Sequence, residues 1–227
     1  MLSLFSYWPT LLQGFSLTCL LMCVSLLAGL VLALLFTAGS LANNFFLRKS
    51  LDGLVFFIRG TPLLIQFFLI YYGLAQFELI RLSFLWPFLR EPFACAVLAL
   101  SLNSACYTTV ILQAALRAIP ENEVSACTAL GMSKWLAYRR IIFPRALRFA
   151  LPAYGNEVIM LLKSTSLASA ITLLDLMGVT QQLLAKTYEA VELYLLVGLI
   201  YLLLYGCINF IFKKLTARFN LCLHYGA

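Results

Sequence analysis

Residues 119–152 read IPENEVSACTALGMSKWLAYRRIIFPRALRFALP. This is the one long stretch with a helical, charged and punctuated pattern in an otherwise apolar chain. Pro120 suits the opening of a helix, and Glu121 and Glu123 put negative charge near the positive end of its dipole. Gly131 is placed to stop that helix. Ser133 can cap a second one carrying Trp135, Leu136 and Ile141, and Pro144 is expected to end it. Arg139, Arg140, Arg145 and Arg148 make the second half strongly basic. A short helix, a glycine turn and a basic helix form a ledge between apolar segments, a shape that a partner protein can grip.

Working outward, the chain has 227 residues, of which 63% are hydrophobic and only 11% charged. Its mean hydropathy is +0.96. A soluble domain carries roughly 25% charged residues, so this is the composition of an integral membrane protein; the length allows one membrane domain, 1–227, and apolar runs of helix-spanning length make the expected class all-α. The net charge of +7 does not point to nucleic acid, because the basic residues flank apolar runs, where they set orientation and meet lipid head groups. The seven cysteines include no C-x-x-C pair and read as small apolar fillers. The first basic residue is Arg48, and the first apolar run is too long for the core of a secretory signal, so a genuine span is expected there.

Five spans are expected, at Leu11–Phe36, Leu54–Gly73 (interrupted), Phe93–Leu116, Phe149–Leu174 and Val191–Phe212. With the C-terminus inside, eleven Lys and Arg fall on the inner side and three, Arg81, Arg90 and Lys186, on the outer side. The positive-inside rule therefore selects an external N-terminus and a cytoplasmic C-terminus, with the ledge in the cytoplasm.

No phosphate-binding Gly-x-x-x-x-Gly-Lys-Ser/Thr loop occurs. The single histidine, His224, lies in the tail, and the carboxylates show no paired spacing. A catalytic role, a metal site or a cofactor is not expected, and a membrane enzyme is disfavoured. A secondary transporter remains the rival class, but no internal repeat is visible.

Polar residues inside spans are costly and carry functional hypotheses. The second span contains Arg59-Gly60-Thr61-Pro62, with Gln66 one turn on. Gly60 and Pro62 should break the helix and free backbone groups. Thr61 and Gln66 then face either a pathway or a structural kink. In the third span Ser101, Ser104 and Thr108 share a helical stripe, which suits a packing seam. In the fourth, Asn156 and Lys163 align on one face, and Glu157 and Ser164 on another about 100° away. Glu157 is either half of an ion pair with Lys163 or Arg59, or the counter-charge for a cationic substrate.

These motifs resemble those of bacterial ABC importer permeases of the polar amino-acid family. The ledge is similar to their EAA loop: Gly131, nine residues, then Ile141, Ile142, Phe143 and Pro144 match its spacing. Ser125, Ala126 and Cys127 stand where Glu-Ala-Ala belongs, Glu123 lies two residues early, and Phe143 replaces Leu. RGTP-x-x-x-Q at 59–66, SLNSACYTT at 101–109 followed by RAIP, and Asn156 with Lys163-x-Thr165-Ser166-Leu167 extend the resemblance along nearly the whole chain. It is most similar to M-type arginine permease subunits, with histidine/lysine/ornithine permeases close behind. The resemblance implies the type I importer permease fold in a bacterial inner membrane. It implies a second permease subunit, two cytoplasmic ATP-binding subunits and an external amino-acid-binding protein as partners. Uptake of arginine or a related basic amino acid is the implied function, with histidine or glutamine as the alternative substrate. Thr61, Gln66, Asn156, Glu157, Lys163, Thr165 and Ser166 are the expected substrate pathway. Glu123, Val124, Ala126, Cys127, Leu130, Gly131, Ile141 and Pro144, within a coupling loop of about 118–148, are the expected ATPase contact.

Overall fold

A computed structural model of the chain describes residues 7–221; His224 and Cys222 lie outside the described residues. The described residues form helices joined by tight turns, with no strand among them.

The first helix, α1 (Trp8–Ser40), begins with Pro9 in its first turn and buries Leu11, Gly14, Thr18, Leu21, Ser25, Gly29, Ala33 and Thr37. Steps of three and four keep these on one face. Because most are small, a neighbouring helix can approach closely. That neighbour is α6 (Pro92–Arg117), the most extensive packing partner of α1. A Cβ added at Gly29 would sit 3.1 Å from the Ser101 carbonyl oxygen. It would also sit 3.3 Å from the Ser104 Cβ, so α1 packs on the stripe at Ser101 and Ser104; Thr108 is buried as well.

Between them the chain makes a sharp corner. Asn44 caps α2 (Phe45–Gly60), its Oδ1 accepting from the backbone N–H of Phe46 at 3.0 Å and of Leu47 at 3.2 Å. Thr61 and Pro62 are extended, and α3 (Leu63–Phe68) leaves at 106° to α2. The expected second span is therefore two helices meeting at a corner, not one interrupted rod. Proline disfavours the helical conformation in the residue before it, and Thr61 here is extended, with φ -106° and ψ 143°. A π-helical turn (Leu69–Gly73) and two short helices, α4 (Glu78–Arg81) and α5 (Trp86–Leu89), lead into α6.

The ledge comprises α7 (Glu121–Ala129) and α8 (Lys134–Ala137), the latter capped by Ser133, whose Oγ accepts from the Leu136 N–H at 3.3 Å. Pro144 does not end the second helix, contrary to expectation. A π-helical turn (Tyr138–Ile142) runs directly into α9 (Phe143–Thr165), with Pro144 in its first turn. The wider turn relieves the clash of the proline ring with the carbonyl four residues back. Helical structure continues through a 3-10 stretch to Ile171. There Thr172 adopts a left-handed conformation, φ 69°, and Asp175 caps α10 (Leu176–Thr187) with a bond from the Gly178 N–H at 2.9 Å. The long helix α11 (Ala190–Leu221) packs against α9.

Among the described residues three helices, α1, α6 and α11, are long and apolar enough to cross a membrane; counting each bent pair as one span gives five. The core lies where Leu21, Phe67, Ala99, Leu100, Leu161 and Ile171 meet.

Candidate functional site

The corner at Thr61–Pro62 frees carbonyls that a continuous helix would have used, and Gln66 repairs this loss. Its Nε2 donates to the carbonyl oxygens of Ile58 at 2.7 Å and Thr61 at 3.1 Å, and to Thr61 Oγ1 at 2.9 Å. Its Oε1 accepts from Asn103 Nδ2 at 3.4 Å. An unpaired buried carbonyl costs about 1–3 kcal/mol, so the buried amide of Gln66 holds the corner together. Its donors are committed and are not offered to a pathway.

The corner forms one wall of a cavity of about 470 Å³ whose lining includes Arg59, Thr61, Asn103, Tyr107, Glu157 and Ser164. Helix α2 supplies Arg59, α6 supplies Asn103 and Tyr107, and α9 supplies Glu157 and Ser164. The Arg59 guanidinium stacks over the Tyr107 ring, 4.9 Å from its centroid. This cation–π contact holds the charge without neutralising it. Glu157 is buried. The expected fixed partners do not reach it: among the described residues the ion pairs are Arg90–Glu91, at 3.6 Å, and Arg145–Glu123. Lys163 instead lies with its Nζ 6.0 Å from the Tyr205 ring of α11. The cavity thus brings together one guanidinium and one carboxyl group, with amide and hydroxyl groups also on its lining.

The expected pathway residues do not converge on one site. Thr61 and Glu157 reach the cavity, and Gln66 braces it from behind. Asn156 faces a separate groove beside Asn209 and Lys213 of α11. Thr165 Oγ1 donates to the Leu162 carbonyl at 2.7 Å, and Ser166 Oγ to that of Lys163 at 2.7 Å, so both hydroxyls are spent on the backbone where the helix tightens. Arg59, Asn103, Tyr107 and Ser164 belong to the cavity and were outside the expected pathway set. The signal for them was the spacing of Asn103 and Tyr107, one turn apart on the same helix, and of Glu157 and Ser164, two turns apart.

On the ledge, Gly131 has φ +70°. Its N–H bonds the Thr128 carbonyl and the Met132 N–H bonds that of Cys127, both at 3.0 Å, which is the paired pattern of a glycine-terminated helix. Glu123 is ion-paired to Arg145, tying α7 to the basic helix. Val124 and Leu130 are 42% and 79% exposed, and Ala126 is exposed too. Cys127 is only 2% exposed and faces its own chain, so it is removed from the expected contact surface. Trp135, 71% exposed, extends that surface. Ile141 and Pro144 are half-buried beneath it.

Residues 25–221 match the model of the family described as binding-protein-dependent transport system inner membrane component. The chain belongs to this family. Among its relatives, the nopaline transport system permease protein NocM of Agrobacterium fabrum is 43% identical over 92% of this chain and 86% of its own length. The arginine ABC transporter permease protein ArtM of Haemophilus influenzae is 40% identical over 93% of each chain. A chain in the crystal structure of an amino acid ABC transporter with histidines superposes with a TM-score of 0.86 at 29% identity, over 96% of this chain and 97% of that one. The fold is that of a type I ABC importer permease. As an inner-membrane component, this family member is a translocation subunit and not itself an enzyme.

Proposed function

We propose that this chain is a permease subunit of an ABC importer for arginine and related basic amino acids. It works with a second permease subunit, two cytoplasmic ATP-binding subunits and an external amino-acid-binding protein. The single observation that carries the substrate class is the buried Glu157 carboxylate, which lines the cavity without an ion-pair partner among the described residues. A basic amino acid brings a carboxylate and two cationic groups. Arg59 is suited to the carboxylate and Glu157 to the side-chain cation. The relatives support this, since nopaline and arginine both carry a guanidinium group. In the reconstituted complex, arginine should stimulate ATP hydrolysis more than glutamine does. Equal stimulation by a neutral amino acid would overturn the assignment.

The ledge is proposed to dock the ATPase from the cytoplasm, with Val124, Leu130 and Trp135 as its exposed apolar contacts, a short helix entering a groove. This orientation rests on the eleven-to-three distribution of basic residues. Single cysteines placed between Gln76 and Glu91 should react with an impermeant reagent added outside, and those between Lys134 and Arg140 only from inside. External labelling at position 134 would reverse the topology.

A further inference from the structure

Where α1 and α6 end, they meet the start of α2 around an open hollow of about 520 Å³. Arg48 lines it from the first turn of α2, Lys49 from the start of the second, and Arg117 from the last turn of α6. Ser40 and Gln113 add polar groups, and Asp52 is the one carboxylate on the lining. None of the three cations is in an ion pair among the described residues. Arg117 suits the negative end of its own helix, but Arg48 and Lys49 stand at the positive end of α2, whose first turn has no acidic residue. Two cations, a helix N-terminus and a third cation therefore concentrate positive potential that one carboxylate does not cancel. The surroundings are apolar and wet by turns: Phe45 and Phe46 at the start of α2 are 67% and 80% exposed, and Leu34 and Leu35 on α1 are also exposed. Lys49 Nζ lies 5.9 Å from the Phe45 ring. Exposed apolar side chains beside cations, at the ends of apolar helices, suit the boundary where acyl chains meet head groups.

We propose that this hollow binds the phosphate of an anionic membrane phospholipid, whose acyl chains lie along the apolar flank of α1. Basic pockets between helix ends are suited to such head groups. A soluble phosphate would satisfy the cations but would gain nothing from the aromatic and leucine surface beside them. The inference does not depend on which substrate the chain carries.

The test is native mass spectrometry of the full chain in detergent, with phosphatidylglycerol and phosphatidylcholine of matched acyl chains in competition. The chain should retain the anionic lipid with a preference of at least about tenfold. Replacing Arg48, Lys49 and Arg117 together by Gln should reduce that preference to within about twofold, while Lys213→Gln with Lys214→Gln should leave it unchanged. Asp52→Asn should raise it, a gain that misfolding cannot produce. Equal retention of the two lipids, or a preference untouched by the triple substitution, would overturn the proposal. So would displacement of the lipid by millimolar inorganic phosphate, which would identify a site for the soluble anion.

Discussion

Glu157→Gln should lower arginine-stimulated ATP hydrolysis about ten- to a hundredfold in the reconstituted complex, with the amount of assembled complex unchanged. The change is nearly isosteric; it removes the charge and replaces one acceptor oxygen by an N–H donor. A hydrogen bond to a charged group contributes roughly 1.5–3 kcal/mol, which sets the range. A buried carboxylate costs several kcal/mol unless something compensates it. Lys163 points to α11 and Arg59 is held over Tyr107, so no cation of this chain within ion-pair distance supplies that compensation among the described residues. In the reading proposed above, a substrate cation is the partner. Were a fixed pair present instead, the variant would strand a buried cation and the yield of complex would fall. Unchanged stimulation by arginine would rule out the binding role and leave Glu157 as structure.

Gly131→Val should uncouple the ledge from its ATPase, read as loss of co-purification and of transport. At φ +70° a β-branched residue is a genuine outlier. A Cβ at this glycine meets nothing within 4 Å, so the penalty is conformational and not a clash. A strained left-handed residue costs about 2 kcal/mol, roughly a thirtyfold loss in the population of the turn. Gly131→Asn should be milder, since asparagine tolerates this region. A valine variant that assembled and transported normally would sink the docking role, and an asparagine variant as damaged as valine would show that the backbone conformation is not the cause.

Much of this was legible because the signals were local. Gly131 read as a left-handed stop and Ser133 as a cap, and each needed only its neighbours. Pro62 read as a breaker, but the angle of the corner depends on Gln66 reaching back to Ile58, across the break itself. Pro144 read as a stop by the same local rule and failed, because a single wide turn before it removes the steric conflict. The proposed Glu157–Lys163 pair was avoidable from helix geometry: residues six apart point about 120° away from each other. Cys127 shows the converse. Val124 and Leu130 each stand three residues from it and flank it by about 60°, so the middle of the stripe is buried and its edges are exposed. The cavity was not legible, because three helices distant in sequence must converge before Arg59, Tyr107 and Glu157 share a space.

Because Pro144 does not interrupt the helix, residues 134–171 run on as one helical segment, roughly 55 Å long at 1.5 Å per residue, with a π-helical turn at Tyr138–Ile142 and Pro152 inside it. Gly131 and Thr172, both with positive φ, stand just beyond its two ends. A proline in a helix interior and a π-helical turn are where a helix bends, and both lie between the ledge and Glu157. A load applied at the ledge would therefore reach Glu157 through a continuous helix that can bend on the way, its effect shared between rotation of the whole segment and flexure at Pro152.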